Sequence, residues 1–511
     1  MYDAIVIGSG NGGLLSALTL QKAGKRVKIF EASHNCGGVA TSFVRGRFEF
    51  EVSLQELYEY GNSEVHGSLY ELFEQLDLNS KISMLPISES FHIFVNDTKE
   101  EYLFPFGISN FIEQMERYVP GSSVSLQQFF AICEECNLAI GYLNEMHFQP
   151  NEEELQSHFP NFKQLLNSSL KEGLELLNMP LKAQEILSCF WIKLGVPVSK
   201  IDFVTYAIRI FSYLTYGGWV PKYRSREISM AILNEFERLG GEIDFLTSVQ
   251  RVLYENSILV GVECSDGRVY QTHHVVANIS PTIFCGKLLP ESIGSKEIYN
   301  SSLAHQLGAK AFCVYLGLNK SVEELGLSTY QYYIFNTLNH DVVYETMKTM
   351  NLTNCVATVL NQVNPNCSDE GTTILTLTAY QFGDIFSKVV NSENYYVMKE
   401  KIANQMIESF EQATGLSILE AIEEIEIATP ETFARYIGTP DGTVMGYLAT
   451  GNDDFLSRLS NHENENILSN VRFCGGFGER LHGYASSYLS GATAAMKTLE
   501  DMNKEGVSNE N

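Results

Sequence analysis

The chain opens with MYDAIVIGSGNGG, residues 1–13, and this stretch decides how the fold begins. An apolar run leads into the pattern G-x-G-x-x-G, formed by Gly8, Gly10 and Gly13. Glycines at this spacing allow a tight turn and let backbone N–H groups approach a pyrophosphate at a helix start. The stretch therefore predicts a strand, a phosphate-binding turn and a helix.

The residues that follow complete a βαβ unit. GLLSALTLQKAG, residues 13–24, has the pattern of an amphipathic helix, and KRVKIFEA, residues 25–32, that of a second strand. Glu31 closes this strand, where a carboxylate accepts hydrogen bonds from the ribose hydroxyls of adenosine. A solvated surface glutamate is the alternative interpretation. Glycine spacing alone does not separate NAD from FAD.

A similar outline returns near the other end of the chain. NVRFCGGFGERLHGYASSYLSGATAAM, residues 470–496, predicts a short strand, glycines, a loop and a helix that opens near Ser487. A strand that turns into a helix N-terminus suits a phosphate-bearing ligand in both places.

Length and charge restrict the class of protein. With 511 residues the chain is long enough for two or three domains. Its net charge of −27, without a dense basic stripe, argues against a nucleic-acid partner and against electrostatic capture by anionic membranes. Apolar contact with lipid at a membrane surface stays open.

Compartment and metal content follow from other patterns. The N-terminus enters a strand without a basic or apolar leader, which predicts a cytoplasmic protein. The ten cysteines are scattered, and the one close pair, Cys133 and Cys136, has no second pair to complete a zinc site. We expect buried thiols and no metal.

The most apolar stretch, residues 201–220, contains Asp202 and Arg209 and is too interrupted for a membrane span.

The middle of the chain alternates between helical and strand patterns. Residues 108–200 are mostly helical in pattern, and a helix that starts near residue 226 precedes a small antiparallel meander. Further strands are predicted at 310–318 and 373–380, and a helix is predicted at 393–414.

Residues 31–42 read E-A-x-x-x-x-G-G-x-x-T-S, and this pattern resembles the start of the flavin-dependent amine oxidase and phytoene desaturase superfamily. Three more blocks, at 217–243, 275–281 and 429–447, are similar to the branch with bacterial phytoene desaturases, carotenoid isomerases and retinol saturases. Together with the two ends, the resemblance covers nearly the whole chain.

The resemblance implies an α/β fold, with a Rossmann-type FAD-binding domain of the glutathione-reductase-like kind and an interleaved α+β substrate domain. The implied FAD domain is discontinuous (1–80, 221–285 and 426–502), the substrate or lid domain covers 81–220 and 286–425, and 503–511 form a disordered tail. In that family the C-terminal strand and helix complete the flavin end of the site. One long ligand held at both ends explains why the outline occurs twice.

Family roles carry over where residues match. The positions implied to bind FAD are Gly8, Ser9, Gly10, Gly12 and Gly13 at the pyrophosphate, Glu31 at the ribose, Gly37, Gly38, Thr41 and Ser42 along the cofactor, Val249 at the adenine, Asn278 after the meander, and Gly475, Gly476 and Tyr484 towards the flavin ring.

The sequence departs from the family pattern in three places. The family has Asp where this chain has Gly476, which puts flavin affinity in question. It has G-G-S where this chain has Tyr223-Arg224-Ser225, and glycine where this chain has Ser53, which together suggest an altered pocket near the ring.

The two long segments between the implied FAD-binding parts, residues 81–220 and 286–425, are rich in aromatic residues. The whole chain holds 26 Tyr and 30 Phe. Any single aromatic run is more often core, but the combined excess favours a cavity for a long apolar ligand. The resemblance implies an FAD-dependent oxidoreductase or isomerase acting on C=C bonds of a carotenoid, retinoid or other unsaturated lipid. Two alternatives stay open: a flavin amine oxidase, and a flavin-free carrier similar to the Rab GDP-dissociation inhibitors.

No catalytic pair is evident from spacing. Near the flavin strand the candidates are Glu479, Arg480 and His482, in GERLHG, with a salt-bridged loop as the alternative. Glu56 is a further candidate, or a surface acid. Only one G-x-G-x-x-G followed by an acid is present, so the sequence predicts no resident nicotinamide site.

Overall fold

The computed structural model describes residues 1–62, 64–293, 295–461 and 468–509. Its strands are β1 (Ala4–Ile7), β2 (Val27–Phe30), β3 (Ser42–Arg45), β4 (Phe48–Glu51), β5 (Met84–Pro86), β6 (Glu89–Val95), β7 (Glu100–Pro105), β8 (Trp219–Pro221), β9 (Glu242–Asp244), β10 (Val249–Glu255), β11 (Ile258–Cys264), β12 (Val269–Gln271), β13 (Val275–Ala277), β14 (Lys310–Leu318), β15 (Gln331–Phe335), β16 (Cys355–Val359), β17 (Thr373–Gln381), β18 (Ile422–Ala428) and β19 (Val471–Phe473).

Helices cover much of the remaining chain. They are α1 (Asn11–Lys22), α2 (Ser68–Gln75), α3 (Ile108–Tyr118), α4 (Ser123–Glu145), α5 (Glu152–His158), α6 (Pro160–Leu165), α7 (Leu170–Leu176), α8 (Leu181–Leu187), α9 (Trp191–Leu194), α10 (Phe203–Tyr216), α11 (Ser225–Arg238), α12 (Pro281–Ile283), α13 (Ser295–Leu303), α14 (Val322–Leu325), α15 (His340–Thr346), α16 (Ile385–Val389), α17 (Tyr395–Thr414), α18 (Pro430–Ile437), α19 (Phe455–Asn461) and α20 (Tyr484–Asn509).

A five-stranded parallel sheet carries the first glycine turn. Its strand order is β19-β13-β1-β2-β9. β1 therefore lies between β13, which precedes Asn278, and β2, which precedes Glu31. The β1 and β2 residues are all buried, because α1, α11 and α20 cover one face of the sheet and the strands β10 and β11 pack on the other. The Rossmann-type α/β prediction is confirmed. The predicted meander is the three-stranded sheet β10-β11-β12.

A seven-stranded sheet forms the second layer. Its order is β18-β14-β17-β16-β15-β6-β7, and all neighbours are antiparallel except β15 and β6. The strands come from residues 89–105 and 310–428, two stretches of the chain that interleave with the parallel sheet. The predicted boundary at residue 425 falls inside β18, which ends at Ala428.

The aromatic stretch 203–216 is the helix α10. The Asp202 carboxylate caps it by accepting a hydrogen bond from the Thr205 backbone at 2.7 Å. Phe203, Tyr206 and Tyr213 are fully buried. Their rings pack against other aromatic rings of the largest core cluster, so α10 is first of all a core helix.

The C-terminal helix differs from its prediction at both ends. α20 opens at Tyr484, three residues before the predicted start, and it continues to Asn509 through most of the predicted disordered tail. Arg472 of β19 pairs with Asp501 at 2.6 Å and fastens this part of the helix to the sheet. Residues 510–511 lie outside the described residues.

Two further expectations concern cysteines and metals. The ten cysteines are free thiols, and all but Cys367 are buried, as expected. Across the described ranges no group of three His, Cys, Asp or Glu side chains could hold a metal ion. In the same ranges no helix is both long and apolar enough to cross a bilayer. The cytoplasmic location stays a prediction.

Candidate functional site

The two glycine segments touch each other. A Cβ atom placed on Gly12, in α1, would lie 2.5 Å from the backbone nitrogen of Gly475. A Cβ on Gly491, in α20, would overlap the carbonyl oxygen of Gly12. Since only glycine leaves room for such backbone contacts, the chain joins its first and last glycine turns directly.

Asn278 lies between these turns. It follows β13, and its Nδ2 donates to the carbonyl oxygen of Cys474 at 3.3 Å. A Cβ on Gly10 would come within 2.5 Å of Asn278 Oδ1, and one on Gly475 would overlap Nδ2. The ends of three parallel strands therefore converge on this side chain.

The start of α1 is open to an anion. Gly8 has a φ of +88°, which turns the chain sharply after β1. Gly10 is the N-cap and provides no side-chain hydrogen bond to the first N–H groups of α1. Free N–H groups at the positive end of a helix are a favourable site for phosphate.

Glu31 points at the first glycine turn. Its Oε2 accepts hydrogen bonds from the backbone nitrogen and the hydroxyl of Ser9, at 2.7 and 2.6 Å. Its Oε1 accepts one from the backbone nitrogen of Ser33 at 2.8 Å. A carboxylate has about four acceptor positions, so one is left for a ribose hydroxyl. Ribose binding by Glu31 stays a prediction.

The second glycine pair folds back onto the first turn. The backbone nitrogen of Gly37 donates to the Ser9 carbonyl oxygen at 2.7 Å, and Gly37 and Gly38 both have positive φ values. Thr41 and Ser42 are predicted to lie along the cofactor, and their hydroxyls differ in hydrogen bonding. The buried Thr41 Oγ1 has no hydrogen-bond partner among the described residues, whereas Ser42 Oγ donates to Glu49 at 2.5 Å.

Val249 lies close to the same end of the site. It is the buried first residue of β10, and two residues earlier the Thr247 backbone nitrogen donates to the carbonyl oxygen of Glu31 at 2.9 Å. The segment predicted to meet adenine is thus adjacent to the residue predicted to bind ribose.

Tyr484 ties the start of α20 to the N-terminal segment. Its hydroxyl donates to the carbonyl oxygen of Val39 at 3.0 Å and lies 2.8 Å from Ser53 Oγ. The family's glycine at position 53 could not make this second contact. The Ser53 departure therefore has a structural role at the predicted flavin end.

The segment Tyr223-Arg224-Ser225, which differs from the family pattern, is held by its own set of hydrogen bonds. Arg224 has a φ of +65°, at a position where the family has glycine. Its guanidinium donates to the carbonyl oxygens of Glu49 and Cys367, both at 2.9 Å. Glu51 accepts from the backbone and the hydroxyl of Ser225, each at 2.7 Å. Burial raises the pKa of Glu51, while the hydrogen bonds from Ser225 oppose this change.

Gly476 leaves space for a side chain. A Cβ there would meet only the backbone nitrogen of Gly446, at 3.9 Å, and its φ is not in the left-handed region. The missing aspartate is therefore not explained by crowding. The carbonyl oxygen of Gly476 packs so closely on Gly446 that a side chain at position 446 would overlap it.

The residues present fit a dinucleotide. Besides the open α1 terminus, several buried polar atoms of the glycine-containing segments have no hydrogen-bond partner among the described residues. Such atoms are costly to bury unless something pairs with them. They are Asn11 Oδ1, Thr41 Oγ1, Ser486 Oγ, Tyr488 Oη and Ser490 Oγ.

Two of the three predicted catalytic residues belong to an ion-pair network. Glu479 is buried and lies 3.2 Å from Lys497 Nζ of α20 and 3.9 Å from Arg480 Nε. Arg480 Nε also approaches Thr493 Oγ1 at 3.5 Å. These contacts favour the salt-bridged loop over a catalytic role for both residues.

His482 is placed differently. Its Nε2 lies 3.3 Å from the carbonyl oxygen of Lys193, so the ring donates from Nε2. The buried Nδ1 has no partner among the described residues. Burial lowers the pKa of His482 to about 4, so the ring is neutral at pH 7.

Beyond this contact lies a buried ion pair, which we call the inner pair: Lys193 and Glu56. Their side chains are 9% and 2% exposed. The Tyr213 hydroxyl lies 3.2 Å from Glu56 Oε2, and Lys193 Nζ donates to Gln331 Oε1 at 3.2 Å. Burial lowers the pKa of Lys193, and the Glu56 carboxylate opposes that shift.

Sequence reasoning named Glu56 but missed Lys193. The available signal was a single cation inside the apolar run ILSCFWIKLGVPV, residues 186–198. A lysine in such a run is almost never fully buried unless it is paired.

The sequence is similar to a known family model and to known proteins. A family model described as flavin containing amine oxidoreductase matches residues 12–310. The all-trans-retinol 13,14-reductase of Danio rerio is 24% identical over 486 residues, which cover 87% of this chain and 77% of that protein. A chloroplastic prolycopene isomerase of an Oncidium hybrid cultivar is 23% identical over 476 residues, or 86% and 75% of the two chains.

A similar fold is found in solved structures. A double mutant of putrescine oxidase superposes with a TM-score of 0.64 at 14% identity, covering 98% of this chain and 99% of that one. At this identity the match concerns the fold alone, and it supports the predicted arrangement of a Rossmann-type domain with an interleaved second domain.

Proposed function

The chain belongs to the flavin containing amine oxidoreductase family, and from this premise we propose that it acts on carbon–carbon double bonds of a long apolar polyene or unsaturated lipid. It is an enzyme, and its cofactor is FAD. The names of the two relatives, a retinol reductase and a prolycopene isomerase, describe chemistry on conjugated double bonds. They support extending that substrate class to this chain.

The observation that carries the proposal is the aromatic layer that ends at the inner pair. Tyr213 lies 4.9 Å, ring to ring, from Phe190 and 5.1 Å from Phe106, and the same residue reaches Glu56 through its hydroxyl. The rings of Tyr213 and Phe190 are packed within the core, so this layer gives the charged pair an apolar surrounding rather than an open channel. Such an arrangement suits a substrate whose reacting atoms are carbon.

Different residues of the chain have different roles in this function. The α1 N–H groups hold the pyrophosphate, Glu31 orients the ribose end, and Tyr484 fixes α20 against the N-terminal segment. When bound, FAD accepts or donates a hydride. Saturation of a C=C bond also needs a proton, and Lys193, paired with Glu56, is the side chain we assign to hold it.

The test begins with a visible spectrum of the purified protein, in which bound FAD gives its characteristic absorption. The protein is then incubated without oxygen with candidate polyenes and unsaturated fatty acids, once with oxidised and once with chemically reduced flavin. A product of unchanged mass indicates isomerisation. A product two hydrogens lighter indicates desaturation, and one two hydrogens heavier indicates saturation.

Other outcomes would overturn the proposal. Release of hydrogen peroxide with amines, and no change in any polyene, would establish an amine oxidase. Tight binding of a prenylated or other lipid chain by a protein that retains no flavin would establish a carrier of the same fold.

A further inference from the structure

A cavity lies apart from the glycine turns. It has a volume of about 400 Å³, within the range of small-molecule sites. Its walls come from five separate stretches of chain and include Lys200, Tyr344, Lys348, Phe382 and Leu448.

The cavity has a charge opposite to that of the protein. Lys348 Nζ lies 4.4 Å and Lys200 Nζ 5.4 Å from the centre of the Tyr344 ring, so two ammonium groups contact one aromatic ring. No carboxylate lines the cavity in the described part of a chain with net charge −27. Lys348 pairs with the exposed Glu345 at 2.6 Å, whereas no described residue forms an ion pair with Lys200. The mouth can therefore bind an anion.

Part of the cavity wall is apolar. The rings of Tyr344 and Phe382 are 4.6 Å apart, and the Trp191 ring lies 6.2 Å from that of Tyr344. Phe382 and Leu448 are both buried. A ligand with one anionic end and an apolar body would satisfy both surfaces.

The apolar wall leads towards the reaction site. Gly195 follows α9, and a Cβ there would lie 2.7 Å from Met445 Sδ and 3.8 Å from the Phe382 ring. The same short helix carries Lys193 of the inner pair. Gly446, next to Met445, packs directly on Gly476 of the C-terminal glycine turn. The cavity wall is therefore connected to the inner pair through α9 and to the predicted flavin end through Met445 and Gly446.

We propose that this cavity binds the anionic end group of the substrate, between Lys200 and Lys348, while the apolar chain passes Phe382 and Met445 towards the inner pair. The inference rests on the proposed function and narrows its substrate class to apolar chains with one anionic end. A carboxylate and a phosphate monoester share this chemistry.

The test measures binding in the holoenzyme with cis-parinaric acid, a conjugated tetraene carboxylate whose absorption overlaps tryptophan emission. Trp191, beside the cavity, serves as energy donor, and the methyl ester of the same acid is the matched neutral probe. The variants are Lys200→Gln, Lys348→Gln and the double variant. Lys388→Gln, which changes an exposed lysine of α16, is the control.

We expect the double variant to bind the acid about tenfold more weakly, since it loses charge-assisted hydrogen bonds to the anion. Binding of the methyl ester should not change, and the control should bind both probes as the unaltered protein does. Dodecanoate and dodecyl phosphate as competitors distinguish the two sources of the anion, because the preferred end group displaces the probe at lower concentration.

Equal binding of acid and ester by the unaltered protein, or an unchanged acid affinity in the double variant, would overturn the proposal. If the protein still converts neutral polyenes in that case, the proposed function stands and only the anion site fails. If it converts no polyene at all, both fail.

Discussion

Lys193 of α9 and Glu56 of the N-terminal segment form an ion pair with both side chains almost wholly inside the protein. Loss of one member of such a pair leaves the other charge buried and unpaired, at a cost of about 3 to 5 kcal/mol. We expect Lys193→Met and Glu56→Gln each to lower the free energy of unfolding by about this amount. Urea unfolding followed by fluorescence measures it.

The double variant Lys193→Met/Glu56→Gln separates structure from chemistry. Because no charge is then stranded, it should recover most of the lost stability, which gives a large coupling energy between the two positions. A double variant that folds, retains FAD and fails to convert substrate supports a chemical role for the inner pair. Full activity would limit the pair to a structural role.

The contact between the glycine turns predicts a contrast between two Gly→Ala changes. Gly12→Ala places a methyl group 2.5 Å from the Gly475 backbone, which cannot move aside, so the variant should lose both stability and FAD. Gly141→Ala, in the middle of α4, meets no atom within 4 Å and should stabilise the protein by about 0.5 to 1 kcal/mol. Thermal unfolding compares the two, and equal effects would contradict the contact.

Glu31→Gln should weaken FAD binding. The amide keeps the size of the side chain but offers one acceptor oxygen to Ser9, Ser33 and the ribose, so we expect a loss of about 1 to 3 kcal/mol in FAD affinity. Titration of the apoprotein with FAD measures the loss. Glu255→Gln, an exposed acid at the end of β10, is the control. Unchanged affinity in Glu31→Gln would remove Glu31 from the site.

Gly476→Asp should be tolerated and should tighten FAD binding. The space beside Gly476 accepts a Cβ without a clash, and the resemblance places an aspartate there to bind the polar middle of the cofactor. An extra hydrogen bond from a charged group is worth about 1.5 to 3 kcal/mol. A slower release of FAD on dilution is the expected result, while weaker binding would show that this chain holds its cofactor differently.

Two buried histidines predict the response to acid. Burial lowers the pKa of His340 and of His482 to about 4, against 6.5 for a free histidine. Both are neutral in the folded protein, so their contribution to stability is complete above pH 6.5 and is lost as the pH falls towards 4. The unfolded chain binds a proton at each histidine in that window, which steepens the loss of stability with falling pH.

A pair of variants checks this assignment. His340→Gln can still donate to the Glu185 carbonyl oxygen, which His340 Nε2 meets at 2.7 Å, but it no longer titrates. It should reduce the pH dependence of unfolding between pH 6.5 and 4. His34→Gln, at an exposed position, should leave the slope unchanged.

The sequence predicted the elements with strong local signals. The N-terminal βαβ unit has its glycine turn, the meander has turn residues at Asn256 and Gly267, and α17 has clear helical periodicity. Family membership and the Rossmann-type fold were confirmed because several motifs occur in order. The predicted start of α20 was three residues late because the loop after Gly478 has no marked N-cap residue.

The parts that sequence did not predict depend on contacts between distant residues. Lys193 and Glu56 are 137 positions apart, and neither position has a pattern that points to the other. The cavity at Lys200 and Lys348 combines five stretches of chain, so no window of sequence contains it. The roles of the individual FAD-binding residues remain predictions.

The contact between Gly12 and Gly475 also sets an order of events during protein synthesis. About 460 residues separate these two positions. A ribosome that adds roughly 5 to 20 residues per second needs about 20 to 90 seconds to pass from the first turn to the second. During that interval β1 and α1 exist without β19 and α20, so the nascent chain has the predicted pyrophosphate turn but lacks the predicted flavin end. We therefore expect stable uptake of FAD only by the finished chain, and we expect a protein translated from a messenger RNA truncated before the codon for Val471 not to retain it.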